Sequence, residues 1–178
     1  MNRVNKEKSL FVTVGSTKFE DLINTILTIE VLNVLKSQNF TNLTLQIGNG
    51  VHDDVIPSLT GKESVEFTVN DVKVKCYRYK SSIKEDMTGA DLVISHAGSG
   101  SVMESLEAGK KLIVVVNEGL MDNHQLELAE KMYNEGYLLY TNCKGLVDKI
   151  NLIINGFVLE KYVPGDSKLF GRYLNKLF

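Results

Sequence analysis

Cysteine is scarce: two residues in a chain of 178. Cys76 and Cys143 lie far apart and belong to no CxxC pair, so by themselves they form neither a disulfide framework nor a zinc site. They read as the reduced thiols of a cytosolic protein. Proline is equally rare, at two residues, and with 43% hydrophobic and 24% charged residues this excludes wholesale disorder and collagen-like repeats. Long apolar runs are missing. The longest aliphatic stretch, Leu112–Val116, is far below a membrane span, and the charged segment Met1–Ser9 lacks the apolar centre of a signal peptide. Any membrane attachment is therefore expected to come through another molecule. Neither sign of charge dominates: 20 Lys+Arg against 22 Asp+Glu leave a net charge of -2. That balance is too even for the broad positive field of a nucleic-acid-binding protein, and leaves room only for a local basic patch.

What is present is an alternation of short apolar runs and helical patterns. Leu10–Val14 is β-branched and stops at Gly15; Leu22, Ile23, Ile26, Leu27, Val31, Val34 and Leu35 follow at the spacing of one helical face. Leu43–Ile47 ends in Gly48-Asn49-Gly50, and Val65–Val69 and Val72–Tyr79 alternate as a hairpin around Asn70-Asp71, with a loop expected over 49–64. Further on, Leu92–Ile94, Leu112–Val116 and Tyr137–Tyr140 read as strands, while Ser101–Ala108, Asn123–Glu135 and Leu146–Ile154 read as helices, the second ended by Gly136. Asn39-Phe40-Thr41 and Asn42-Leu43-Thr44 fit the glycosylation pattern, but without a secretory signal they read as surface residues before a strand.

Strands separated by helices, in runs too continuously apolar for a sheet wetted on one side, predict an α/β fold: a Rossmann-like, mostly parallel sheet with helices on both faces. The length allows one such domain, with a tail. The expected division is the Rossmann-like domain over 1–145 and a helical extension over 146–178. Beyond Pro164-Gly165, Leu169, Phe170, Tyr173, Leu174, Leu177 and Phe178 make that extension unusually apolar. Either it docks back on its own sheet or it is a surface for a partner.

In such folds ligands gather beyond the carboxyl ends of the strands. Three loops there carry chemistry: Gly15-Ser16-Thr17, Ser95-His96-Ala97-Gly98-Ser99-Gly100-Ser101, and Asn117–Gln125. In the middle loop two glycines let the backbone approach a ligand, and the following helix aims free N–H groups and its positive dipole end at the same spot, where a diphosphate would fit. A tight turn capped by Ser101 would look the same. The loop lacks the third glycine of a dinucleotide fingerprint, no Gly-Lys-Ser/Thr closes a P-loop, and Ala97 takes the first glycine's place in a nucleophile elbow. Nicotinamide enzyme, kinase and serine hydrolase are thereby excluded. Glu104 follows Ser101 by three residues, close enough to accept from the hydroxyls of a ribose, or to complete a capping box. Asp122-Asn123-His124-Gln125 could read sugar hydroxyls or cap its own helix. Together a diphosphate loop, a carboxylate and a polar quartet describe a nucleotide-sugar site.

Phe11–Thr17, Asp91–Ser101, Leu112–Val116 and Leu120–Gln125, in this order, resemble the cytosolic subunit of the eukaryotic two-subunit UDP-N-acetylglucosamine transferase of dolichol-linked oligosaccharide synthesis. The resemblance runs from about residue 8 to 141. It extends to the C-terminal, donor-binding half of the bacterial enzyme that adds N-acetylglucosamine to lipid-linked peptidoglycan precursor. It implies one half of a GT-B glycosyltransferase. Gly15, Ser16 and Thr17 would approach the donor diphosphate, and Gly98, Ser99 and Gly100, with Ser101 behind them, would hold the phosphates at the helix end. Glu104 would bind the ribose, and Asn123 and Gln125 the N-acetylglucosamine. His96 and His124 are implied to shape the loops or touch the donor, and are the weaker candidates for a catalytic role; His52 matches no motif.

The resemblance also implies an inverting transfer from UDP-N-acetylglucosamine to dolichyl-diphospho-N-acetylglucosamine, with UDP as the leaving group. No metal cofactor is required on this reading, and the chain has no Asp-x-Asp motif. A GT-B site lies between two Rossmann-like domains and this chain has room for one. A membrane-anchored partner subunit is therefore implied, bringing the lipid-linked acceptor and the general base. The chain itself would be cytoplasmic, recruited to the cytosolic face of the endoplasmic reticulum without inserting into the membrane. The alternative is a non-catalytic nucleotide-sugar-binding or regulatory module that keeps the donor pocket but never assembles an active site.

Overall fold

In β1 (Lys8–Thr13) the last four residues are all buried, so the strand meets core on both faces. That is the setting of a central parallel strand. β1 pairs in parallel with β2 (Phe40–Gln46) on one side and with β5 (Leu92–His96) on the other. With β3 (Ser64–Val69), β4 (Val72–Tyr77), β6 (Leu112–Val115) and β7 (Leu139–Thr141) they form a seven-stranded sheet in the order β3-β4-β2-β1-β5-β6-β7. Only the edge strand β3 is antiparallel. Its hairpin turns at Asn70 and Asp71, both left-handed at φ 47° and 61°, a conformation their short polar side chains tolerate. The computed structural model describes residues 6–52, 54–119 and 123–165, residues 123–125 by their backbone alone.

The helices are α1 (Glu20–Ile26), α2 (Ile29–Ser37), α3 (Lys84–Gly89), α4 (Ser99–Glu107), α5 (Asn123–Asn134) and α6 (Leu146–Ile154). Where the sequence reads as one helical face from Leu22 to Leu35, the chain breaks into α1 and α2. Thr28 takes an extended conformation there, and its hydroxyl accepts from the Val31 N–H at 3.4 Å, capping α2. Both helices still point their apolar residues the same way, because the break keeps Leu22, Ile23, Ile26, Val31, Leu32 and Leu35 buried. α3 is absent from the sequence reading: its six residues bury only Met87, so no periodicity announces it. Gly136 ends α5 in the left-handed region at φ 81°, as expected of a helix stop.

Successive strand residues serve opposite layers. Val12, Leu45 and Ile94 pack with α1, α2 and α6, whose Leu146, Ile150 and Ile153 enter this core. Phe11, Val93, Leu112 and Val114 pack with Met87 of α3, Val102 and Leu106 of α4, and Ala129 of α5. The result is the Rossmann-like, mostly parallel sheet with helices on both faces that the sequence predicts. Among the described residues no helix is long and apolar enough to cross a membrane. The apolar tail from Leu169 to Phe178, Leu120 and Met121, and Asp122 of the polar quartet lie outside the described residues.

From β1 the chain moves to β2 on one side and later returns to β5 on the other. Strand order reverses at β1, and a crevice for ligands opens beyond the carboxyl ends of β1 and β5.

Candidate functional site

Two glycine loops border this crevice. After β1, Gly15 adopts a left-handed φ of 59°. Its N–H donates to the hydroxyl oxygen of Thr13 at 3.1 Å, and that hydroxyl in turn donates to the side-chain oxygen of Gln46 on β2, inside the protein. Thr17 folds back on the same turn: its N–H and its hydroxyl both donate to the Val14 carbonyl, at 3.2 and 2.8 Å. Ser16 is exposed at the rim, and among the described residues its N–H has no hydrogen-bond partner. Of the three residues expected here, Ser16 offers its backbone N–H at the rim, whereas the Gly15 N–H and the Thr17 hydroxyl are engaged within the protein.

The second loop follows β5. Gly98 is the N-cap of α4 and has no side chain to offer, so the N–H groups of Ser99, Gly100 and Ser101 form an open helix end. This helix starts two residues earlier than its Ser101 suggested. Ser101 is the third residue of α4 rather than its cap, so no Ser101–Glu104 capping box forms, and Glu104 stands on the second turn, exposed. There it lines a cavity of about 460 Å³ together with Ser82, Lys84, Met87, Thr88, Glu107 and Ala108. The α3 wall of this cavity was missed by sequence reasoning. It is held by Asp86, which accepts from the Tyr77 hydroxyl at 2.7 Å and pairs with Lys80 at 2.6 Å.

His96, the last residue of β5, lies between the loops. A β-carbon on Gly15 would stand 2.8 Å from its Cε1, and one on Gly98 would collide with its Nε2. Both glycines are needed for this packing. Nδ1 is buried and, among the described residues, has no hydrogen-bond partner. Burial lowers the His96 pKa from the ordinary imidazole value of 6.5, and the Thr13 backbone opposes that only in part. The ring is neutral at physiological pH.

Asn123, His124 and Gln125 are the first three residues of α5, reached from β6, which pairs in parallel with β5. Their backbone therefore begins α5 on the carboxyl-end side of the sheet, where Gly98 also lies; their side chains lie outside the described residues. His52 is buried in the loop after β2, against Gly50.

A doubly wound sheet, with a glycine loop on each side of its switch point and an open helix end aimed into the crevice, is the architecture of one half of a GT-B glycosyltransferase. Residues 9–156 match the glycosyltransferase family 28 C-terminal domain, and the chain belongs to that family. It is 49% identical over 139 residues to the UDP-N-acetylglucosamine transferase subunit ALG13 of Homo sapiens, covering 78% of this chain and 11% of the relative. The chain thus spans about a tenth of the mammalian relative's length. The ALG13 subunit of Cryptococcus neoformans is 30% identical over 190 residues, covering 96% of this chain and 92% of that one. Among solved structures, the NMR solution structure of ALG13 superposes with a TM-score of 0.70 at 27% identity, over 95% of this chain and 96% of that one. MurG of Acinetobacter baumannii gives a TM-score of 0.58 at 16% identity, over 86% of this chain and 42% of MurG, a likeness of fold.

Proposed function

We propose that this chain is the donor-binding subunit of an inverting glycosyltransferase that moves N-acetylglucosamine from UDP-N-acetylglucosamine to dolichyl-diphospho-N-acetylglucosamine. The observation that carries the reading is the convergence of the Gly15-Ser16 loop and the open N-terminus of α4 on one crevice, beside the cavity that Glu104 lines. The cavity between α3 and α4 suits a nucleoside, with the Glu104 carboxylate accepting from ribose hydroxyls. Asn123 and Gln125 are assigned to the sugar. The relatives' own names, subunits of a UDP-N-acetylglucosamine transferase, support the same assignment.

In the transfer, an acceptor hydroxyl attacks the anomeric carbon, the bond from that carbon to the diphosphate oxygen breaks, and UDP leaves. Negative charge grows on the diphosphate as that bond opens. The N–H groups of Ser16, Ser99, Gly100 and Ser101 and the α4 dipole are preorganised to meet it, and losing one such donor typically costs about 3 kcal/mol of barrier. No metal is needed for this step. His96, packed between Gly15 and Gly98, is assigned to spacing the two loops, and the acceptor's proton falls to a base on the other half of the cleft. That half is assigned to a membrane-anchored subunit that also carries the lipid-linked acceptor, so that the chain works at the cytosolic face of the endoplasmic reticulum.

Co-expression with such a membrane subunit tests the proposal. Membranes holding both proteins are expected to convert UDP-N-acetylglucosamine and the lipid acceptor into a chitobiosyl lipid, and the purified chain alone is expected to convert none. Full turnover by the chain alone, or none with the partner, would overturn it.

A further inference from the structure

The first glycine loop is held from behind by a second loop, which is itself anchored on β4. Gly48, left-handed at φ 54°, sits so close that a β-carbon there would stand 2.5 Å from the Thr17 carbonyl oxygen and 2.8 Å from that of Gly15. Asn49 donates twice to the same turn: its N–H to the Thr17 carbonyl and its side-chain Nδ2 to the Ser16 carbonyl, each at 3.2 Å. On either side of Asn49, the guanidinium of Arg78 grips the backbone through one nitrogen, Nη1, which donates to the Gly48 carbonyl at 3.0 Å and to the Gly50 carbonyl at 2.8 Å. The Val51 N–H, donating to Glu20 Oε1 at 3.3 Å, ties the far end to the start of α1.

The arrangement has an electrostatic consequence. The carbonyl oxygens of Ser16 and Thr17 accept from Asn49, and that of Gly15 lies against Gly48. A carbonyl turned towards a diphosphate would repel it, whereas a loop whose oxygens face backwards leaves the Ser16 N–H free to face forwards, those of Gly15 and Thr17 being engaged with Thr13 and Val14. Arg78 is the one charged group in this clasp that donates to its backbone, and charge-assisted bonds are the stronger kind. We infer that Arg78 is a positioning residue for diphosphate binding, acting through Gly48–Gly50 on the Gly15-Ser16-Thr17 loop without touching the ligand. A lysine, a point charge on a flexible stem, would hold this backbone less rigidly than the planar guanidinium.

The inference rests on the donor reading proposed above, and the test separates the two. UDP and uridine share the nucleoside, so only UDP tests the loop. Amide chemical-shift titrations of the full chain with each ligand are expected to show Arg78→Met binding UDP at least threefold more weakly than wild type, uridine affinity staying within twofold. Arg78→Lys should recover part of the UDP affinity. Gly48→Ala, which pushes on the Thr17 carbonyl from the same side, should give the same UDP-selective loss. The amide spectrum of each variant reports whether it folds, and an unfolded Arg78→Met leaves the decision to Arg78→Lys and Gly48→Ala. UDP affinity within threefold of wild type in the folded variants, or an equal loss for both ligands, overturns the positioning role alone. A wild-type chain that binds neither ligand overturns the donor reading and this inference with it.

Discussion

The imidazole of His96 occupies the space that a side chain on Gly15 would need, its Cε1 lying 2.8 Å from where a β-carbon would stand. Gly15 is also left-handed at φ 59°, so alanine there meets backbone strain and steric conflict together. Gly15→Ala is expected to cost about 1–3 kcal/mol of stability and to weaken UDP binding. His96→Ala added to it should return the steric part of the loss but leave the strain. Urea denaturation of the two single variants and the double variant measures this; a neutral Gly15→Ala would show that the loops do not meet over His96.

The same burial makes stability sensitive to acid. The folded-state pKa of His96 lies below its unfolded value of 6.5 because burial disfavours the charged ring. Between those two values the unfolded chain binds the proton more readily than the folded one, so the linked stability is present above pH 6.5 and is lost as pH falls from there towards the folded pKa. Thermal midpoints recorded from pH 8 to pH 5 should fall more steeply for wild type than for His96→Gln. Parallel profiles would remove His96 as the source.

Much of this was legible in the sequence because strand ends followed by Gly and Ser mark the crevice loops directly, and because α6 announces itself by clean periodicity. Other features depend on distance in sequence. Ser101 looked like a helix cap, but Gly98 caps α4 by backbone alone, and nothing in its side chain could announce that. α3 buries one residue in six, so the wall facing Glu104 carried no pattern. The break at Thr28 hid within a continuous apolar stripe. The spacing role of His96 needs β1 and β5 to be neighbours, which pairing in the sheet decides and local sequence does not.

The Glu104 side chain is exposed and, among the described residues, has no partner to lose. Glu104→Ala should therefore leave stability within about 0.5 kcal/mol of wild type. Losing hydrogen bonds from a charged acceptor to the ribose should weaken UDP by about 1.5–3 kcal/mol, roughly 10- to 150-fold. Calorimetric titration with UDP gives the affinity and a thermal melt gives the control. Unchanged affinity in a folded variant would remove Glu104 from the ribose.

Beneath the first glycine loop, Thr13 links two elements: it accepts from the Gly15 N–H and donates to Gln46, and both side chains are buried. Thr13→Val keeps the shape but strands two polar groups, at about 1–3 kcal/mol for each buried group left unsatisfied. Gln46→Leu deprives the Thr13 hydroxyl of its acceptor only. The double variant Thr13→Val/Gln46→Leu removes both ends of that bond, so its loss should be smaller than the sum of the single losses by about 0.5–3 kcal/mol. Its UDP affinity should stay weakened all the same, because the Gly15 N–H no longer has the oxygen that fixes the turn. Urea denaturation completes the cycle and calorimetry supplies the affinities. Strict additivity would mean that the two side chains do not depend on each other, and wild-type UDP binding in the double variant would mean that the turn holds its shape without Thr13.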